Sequence, residues 1–149
     1  MDAGRREGPL RLEAAGDADT VVLALGEVAC QIGEGRSQVD IGMAVAADDG
    51  GLVVPVLRNC ESRELAELNS DWKDLVARAR TRHLNPDEFK GSTFQISNMG
   101  MFDVSYFDAI PTPGTAAILA IATANEQGMP LTVTADHRVV NGAEVAMFL

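Results

Sequence analysis

The sequence predicts an α/β domain of two layers built on a mixed sheet. Three observations lead there. Several short segments alternate apolar and polar residues, one long segment repeats its apolar residues at helical spacing, and strands and helices follow one another without the strict alternation of an all-parallel sheet. The chain has 149 residues, 46% of them apolar and 23% charged. That balance suits one globular domain able to bury a core without a disulfide or metal staple.

Residues 1–17 show no period and are expected to form a flexible N-terminal segment. From Asp19, the residues Val21, Val22, Leu25, Val28, Ala29 and Ile32 recur at helical spacing, with Asp19 as N-cap and Gly33 as stop. Residues 40–47 read as a strand, with Ile41, Met43 and Val45 on one face. Gly42, Ala44 and Ala46 fall on the other, where something approaches closely. Asp48-Asp49-Gly50-Gly51 is a turn, and residues 52–57 return as a second strand of a hairpin. Pro55 has no N–H to donate, so this strand belongs at an edge or a bulge.

Residues 62–83 carry the clearest helical stripe: Leu65, Leu68, Trp72, Leu75, Val76 and Ala79. Acidic residues near its start and basic ones near its end complement the helix dipole. Asn85-Pro86-Asp87-Glu88 reads as a cap followed by proline at the first position of a short helical turn. Strands are expected over 93–98, 115–123 and 131–135, and a helix begins at Gly142.

Composition excludes some functions. Twelve basic against 22 acidic residues give a formal charge of −10, the wrong sign for a broad nucleic-acid surface. The longest mostly apolar stretch, residues 110–124, is too short and too broken by proline and glycine to span a membrane. The N-terminal residues mix both charges without an apolar run, and the two cysteines, Cys30 and Cys60, form no CxxC pair. Buried reduced thiols in a cytoplasmic protein are the expectation, with a disulfide as the alternative. No metal-ligand cluster is read, and Gly33-Glu34-Gly35 lacks the residues of a phosphate loop.

Only two histidines are available. His83 ends a basic helix, where an exposed role beside the dipole suffices. His137 lies in Asp136-His137-Arg138, between a strand and Asn141-Gly142, the kind of strand-end loop that carries sites. Its spacing alone fits a structural histidine equally well.

The run from Asp136 to Ala143 resembles the His-x-x-x-Asp-Gly signature of the dihydrolipoyl acyltransferases of 2-oxo acid dehydrogenase complexes. Three further blocks agree in order: the hairpin of residues 39–46 and 51–59, the serine-bearing strand of residues 94–102 and the buried strand Ala116-Ala117-Ile118-Leu119. The match covers residues 39–149. It implies the chloramphenicol-acetyltransferase-like fold and acyl transfer between a dihydrolipoyl thiol and coenzyme A. It further implies His137 as general base, Ser97 as oxyanion donor, and a homotrimer or larger cage in which His137 of one chain faces Ser97 of its neighbour. Asn141 stands where the family more often has aspartate; it supplies an amide hydrogen bond without the charge. Arg138 is expected to pair with a carboxylate, the alternative being a contact with substrate, and Ser97 could also be a strand serine bonded to backbone.

On that resemblance, residues 18–149 form a shortened catalytic domain, with no lipoyl or peripheral-subunit-binding domain in the sequence. The lipoyl group is then supplied by another domain or chain, and coenzyme A is a substrate. With a surface this acidic, contacts to its phosphates must come from local residues such as Arg58 or from a neighbour. The alternative is a catalytically incomplete core subunit that assembles with full-length chains. A small-molecule acetyltransferase or condensation domain of the same fold is a third reading, disfavoured by Asp136 where the latter carries a second histidine.

Overall fold

Five strands form the main sheet in the order β4-β1-β5-β6-β7. They are β1 (Ile41–Met43), β4 (Val56–Leu57), β5 (Phe94–Asn98), β6 (Ala117–Ile121) and β7 (Leu131–Ala135). The computed structural model describes residues 38–149; the helix expected over 19–32 and Cys30 lie outside them. β5 runs parallel to β1 and β6, while β4 and β7 are antiparallel to their neighbours. The sheet is therefore mixed, as expected. β6 is wholly buried between two neighbours, which accounts for its continuous apolar run.

Helix α1 (Leu65–Arg80) covers one face of this sheet. Leu68, Trp72, Leu75 and Ala79 pack with Ile41, Met43, Ile96, Leu119 and Ile121 in one core. The opposite face is covered locally by Phe107 and Ala109, which pack on Ile118 and Ala120. Helix α2 (Gly142–Phe148) docks through Phe148, edge-on to Phe94 with ring centroids 5.9 Å apart.

The helix expected over 62–83 is shorter at both ends. Cys60–Ser62 forms a 3-10 turn, and Glu64 is an extended N-cap. At the other end Arg82 takes φ 58°, while its N–H donates to Ala79 O and that of His83 to Arg78 O. This closing turn usually uses glycine. Here the Arg82 side chain holds the conformation by donating to Asp49 Oδ2 at 2.6 Å and Gly50 O at 3.1 Å, which ties the helix end to the neighbouring turn. His83 is exposed, as expected, with Nδ1 2.9 Å from Thr81 Oγ1.

The expected hairpin of 40–47 with 52–57 divides in two. β1 pairs with β4 in the main sheet, and β2 (Val45–Ala46) pairs with β3 (Leu52–Val53) in a separate ribbon. The break falls at Val54 and Pro55. The proline lacks a ladder donor, and β4 is the edge strand its presence predicts. The close approach expected at Gly42 is present: a Cβ there would lie 3.0 Å from both Ser92 Cβ and Val54 Cγ1. Gly42→Ala is expected to destabilise by about 1–3 kcal/mol through overpacking. A lowered urea midpoint at constant slope would show it, and an unaltered midpoint would contradict the packing described.

Candidate active site

Sheet register places the two principal candidates. Phe94, Ala117 and Ala135 share one row of β5, β6 and β7, and Ser97, Ala120 and Thr132 share another. Ser97 is thus near the end of β5, whereas His137 follows β7 at the opposite end of the sheet. Three residues of strand rise and two strand spacings separate Ser97 from Ala135 by roughly 14 Å, and His137 lies two residues further on. A general base must reach the attacking thiol and an oxyanion donor the oxygen of the carbonyl under attack, so both must converge on one reacting centre. Ser97 and His137 of the same chain do not meet that condition.

Each is nonetheless open to a ligand. Ser97 is half-buried, and its hydroxyl has no hydrogen-bond partner among the described residues. The backbone-bonded strand serine is therefore not what these residues show. Strand alternation puts Ser97 on the same face as Gln95, opposite the α1 core. His137 is exposed, and neither ring nitrogen has a partner among the described residues.

Asn141 holds a helix end. Its side-chain oxygen accepts from the N–H groups of Ala143 and Glu144, both at 3.1 Å, and Glu144 Oε2 accepts from Asn141 N at 2.8 Å. This reciprocal cap starts α2 directly after the His137 loop. Arg138 pairs with Asp136 at 2.6 Å, the carboxylate pairing expected for it. That guanidinium, with the Arg138 N–H, holds the Asp136 carboxyl down at about 2. The pair therefore stays ionised throughout the range in which an imidazole titrates.

Arg58 is not available for phosphates in the way the sequence suggests. Its guanidinium donates to Asp40 Oδ2 at 2.8 Å and to the carbonyls of Asp87 at 2.7 Å and Gly91 at 3.2 Å. Asp40, only 5% exposed, also accepts from Asn59 N at 3.0 Å. A buried carboxylate demands such partners, so the arginine serves the fold.

Among the described residues, two cavities bear on β5. A cleft of about 790 Å³ lies on the Gln95 side of the sheet, lined in part by Val54, Phe89, Lys90, Gln95, Thr112 and Thr115. Gln95 is buried there and donates to Thr112 Oγ1 at 2.6 Å and Ser92 Oγ at 3.2 Å. A smaller cavity of about 290 Å³ is bounded by Ser97 and Asn98 together with Met43, Trp72, Met99 and Phe102. Sequence reasoning missed both Gln95 and Asp136. The Asp-x-Arg spacing at a strand end was the available signal for the second. Among the described residues, no three His, Cys, Asp or Glu side chains are grouped to hold a metal ion.

The described residues thus present a mixed sheet with one covering helix layer, a strand serine whose hydroxyl has no partner among them, and an exposed histidine before a capped helix. Residues 34–149 match the family model of the 2-oxoacid dehydrogenases acyltransferase catalytic domain, and the chain belongs to that family. It is 44% identical over 127 residues to an Arabidopsis thaliana chloroplastic dihydrolipoyllysine-residue acetyltransferase, component 5 of the pyruvate dehydrogenase complex. That alignment takes in 76% of this chain and 27% of the relative, so the chain spans about a quarter of the length of that protein.

Among solved structures, the cubic core of the pyruvate dehydrogenase multienzyme complex superposes with a TM-score of 0.76 at 29% identity, covering 86% of this chain and 64% of that one. The Azotobacter vinelandii dihydrolipoamide acetyltransferase gives the same TM-score and coverage at 28% identity. In that enzyme a serine, a histidine and an asparagine were investigated for roles in the catalytic mechanism. The histidine and asparagine stand four residues apart there, as His137 and Asn141 do. The serine and histidine are 52 residues apart there, against 40 between Ser97 and His137.

Proposed function

We propose that this chain transfers an acyl group between the dihydrolipoyl thiol of a lipoylated domain and coenzyme A, as core of a 2-oxo acid dehydrogenase complex. The observation that carries the reading is a pair of groups with no hydrogen-bond partner among the described residues, the Ser97 hydroxyl and the His137 imidazole, each in a block that resembles the dihydrolipoyl acyltransferases. In the forward direction His137 takes the proton of the attacking coenzyme A thiol. A free thiol of pKa near 8.5 is only roughly 3% thiolate at pH 7, so the base matters. Sulfur adds to the thioester carbon, and the oxygen, now negative, accepts a hydrogen bond from Ser97. The carbonyl re-forms as the carbon–sulfur bond to the lipoyl arm breaks. The departing sulfur receives the proton that His137 carries.

Because the two groups stand at opposite ends of one sheet, the reading requires His137 and Ser97 from different copies, in a homotrimer or larger cage. An exposed apolar group fits such assembly: Met101, Phe102, Tyr106 and Ile110 are each more than 60% exposed. The lipoyl group arrives on another domain or chain. An assay of acetyl transfer from acetyl-coenzyme A to dihydrolipoamide tests the activity. Ser97→Ala should lower kcat by about 10²- to 10³-fold, the usual loss of one oxyanion donor.

A second reading, a structural core subunit that assembles with longer chains, is favoured by the shorter Ser97–His137 separation relative to the Azotobacter enzyme. Assembly by light scattering without transfer in the assay would support it. A monomer would contradict both readings.

A further inference from the structure

The residues on either side of His137 are bound to each other. Asp136 N donates to Ala116 O at 2.8 Å, extending the ladder between β6 and β7 by one residue. The chain then turns at once. Asp136 Oδ1 accepts from Arg138 N at 3.0 Å and Arg138 Nε at 2.9 Å, while Oδ2 accepts from Nε at 3.1 Å and Nη2 at 2.6 Å. The Asp136 carbonyl accepts from Val139 N at 3.0 Å and Val140 N at 3.1 Å. Asn141 then caps α2, which is anchored on Phe94 through Phe148. His137 is the middle residue of a ring closed by the Asp136 side chain on the Arg138 N–H, the local geometry of an Asx turn.

An exposed ion pair by itself adds little stability, and the Arg138 side chain is 87% exposed. Its importance here is directional. The turn fixes the backbone from which the imidazole projects, and the two opposed charges stand one residue either side of it. Among the described residues, few other charges come from the elements at this end of the sheet. Residues 111–117, which lead into β6, carry none, nor do 91–94 at the start of β5. Glu144 of α2 is engaged by Asn141 N, and Asp40 before β1 is paired with Arg58.

We propose that Asp136 and Arg138 are positioning residues for His137, Asp136 by closing the turn that aims the imidazole and the two together by balancing the charge around it. The proposal deepens the acyl-transfer reading and rests on it for its catalytic meaning. Removing either charge leaves the other unopposed. Asp136→Asn keeps an oxygen for the Arg138 N–H but leaves a cation, which disfavours the imidazolium. Arg138→Gln leaves an anion, which favours it.

The test uses the whole chain in its assembled state. The His137 ring is followed by NMR titration, its signals separated from those of the only other histidine by a His83→Gln variant, beside the pH profile of kcat/KM. The imidazole titration and the acid limb should move down by about half a pH unit in Asp136→Asn and up by a similar amount in Arg138→Gln. Asp136→Ala, which also opens the turn, should lower kcat by about tenfold or more with KM changed less than twofold. Shifts that are absent or of one sign in both variants would overturn the proposal, as would an unaltered kcat in Asp136→Ala. Opposite shifts in the two variants, together with a wild-type chain that shows no transfer activity, would uphold the charge balance and refute the acyl-transfer reading.

Discussion

Replacing His137 by alanine is expected to lower acyl transfer by about 10²- to 10⁴-fold, the range typical of a positioned general base. The loss should appear in kcat, because the thiol must then lose its proton to water. The fold should survive the change. His137 is exposed and makes no hydrogen bond among the described residues, and the turn around it is held by Asp136 and Arg138. An unaltered unfolding midpoint would establish that the loss is chemical. Undiminished activity in the variant would exclude the proposed mechanism.

The largest stability effect is expected at Trp72. It is 4% exposed, sits in the middle of α1 and packs in the core with Ile96 and Leu119. Trp72→Ala should cost about 3–5 kcal/mol, a large part of the roughly 5–15 kcal/mol that stabilises a typical domain. Its indole N–H is buried without a hydrogen-bond partner among the described residues, a condition that itself costs about 1–3 kcal/mol. Trp72→Phe removes that donor along with some packing, so it should cost far less than the alanine change. Urea unfolding followed by circular dichroism compares the two, since this is the only tryptophan and its fluorescence disappears. Equal losses in both variants would contradict this account of the site.

What could be read from the sequence depended on how local its cause was. The last strand lies where its alternation of leucine and valine with threonine predicts, over Leu131–Ala135. The capped proline turn at Asn85 also follows from neighbouring residues alone: Glu88 Oε2 accepts from Asn85 N at 2.7 Å. The ends of α1 were less legible. Its closing turn uses Arg82 in a conformation that favours glycine, and Asp49, 33 residues away, supports it. The hairpin split for a similar reason: Ala44 N donates to Ile96 O on β5, a partner that hairpin periodicity does not foresee.

The site shows the same division. His137, Ser97 and Asn141 stood out through their blocks. The separation of Ser97 from His137 depends instead on strand order and register, which no local pattern encodes. Asn141 carries a helix cap that its neighbours Gly142 and Glu144 make intelligible once α2 is seen to begin there. In sequence Arg58 reads as open to phosphates because its partner Asp40 lies across the sheet edge, 18 residues earlier.

Mixing subunits tests most directly the claim that one active site is built from two copies. The His137→Ala and Ser97→Ala chains, each nearly inactive alone, would be co-expressed in equal amounts and assayed for acetyl transfer to dihydrolipoamide. Random assembly in a closed head-to-tail ring pairs an intact His137 with an intact Ser97 at about a quarter of the interfaces. Activity should therefore recover to about a quarter of wild type. Mixed assemblies that stay at the level of the single variants would contradict a site shared between chains.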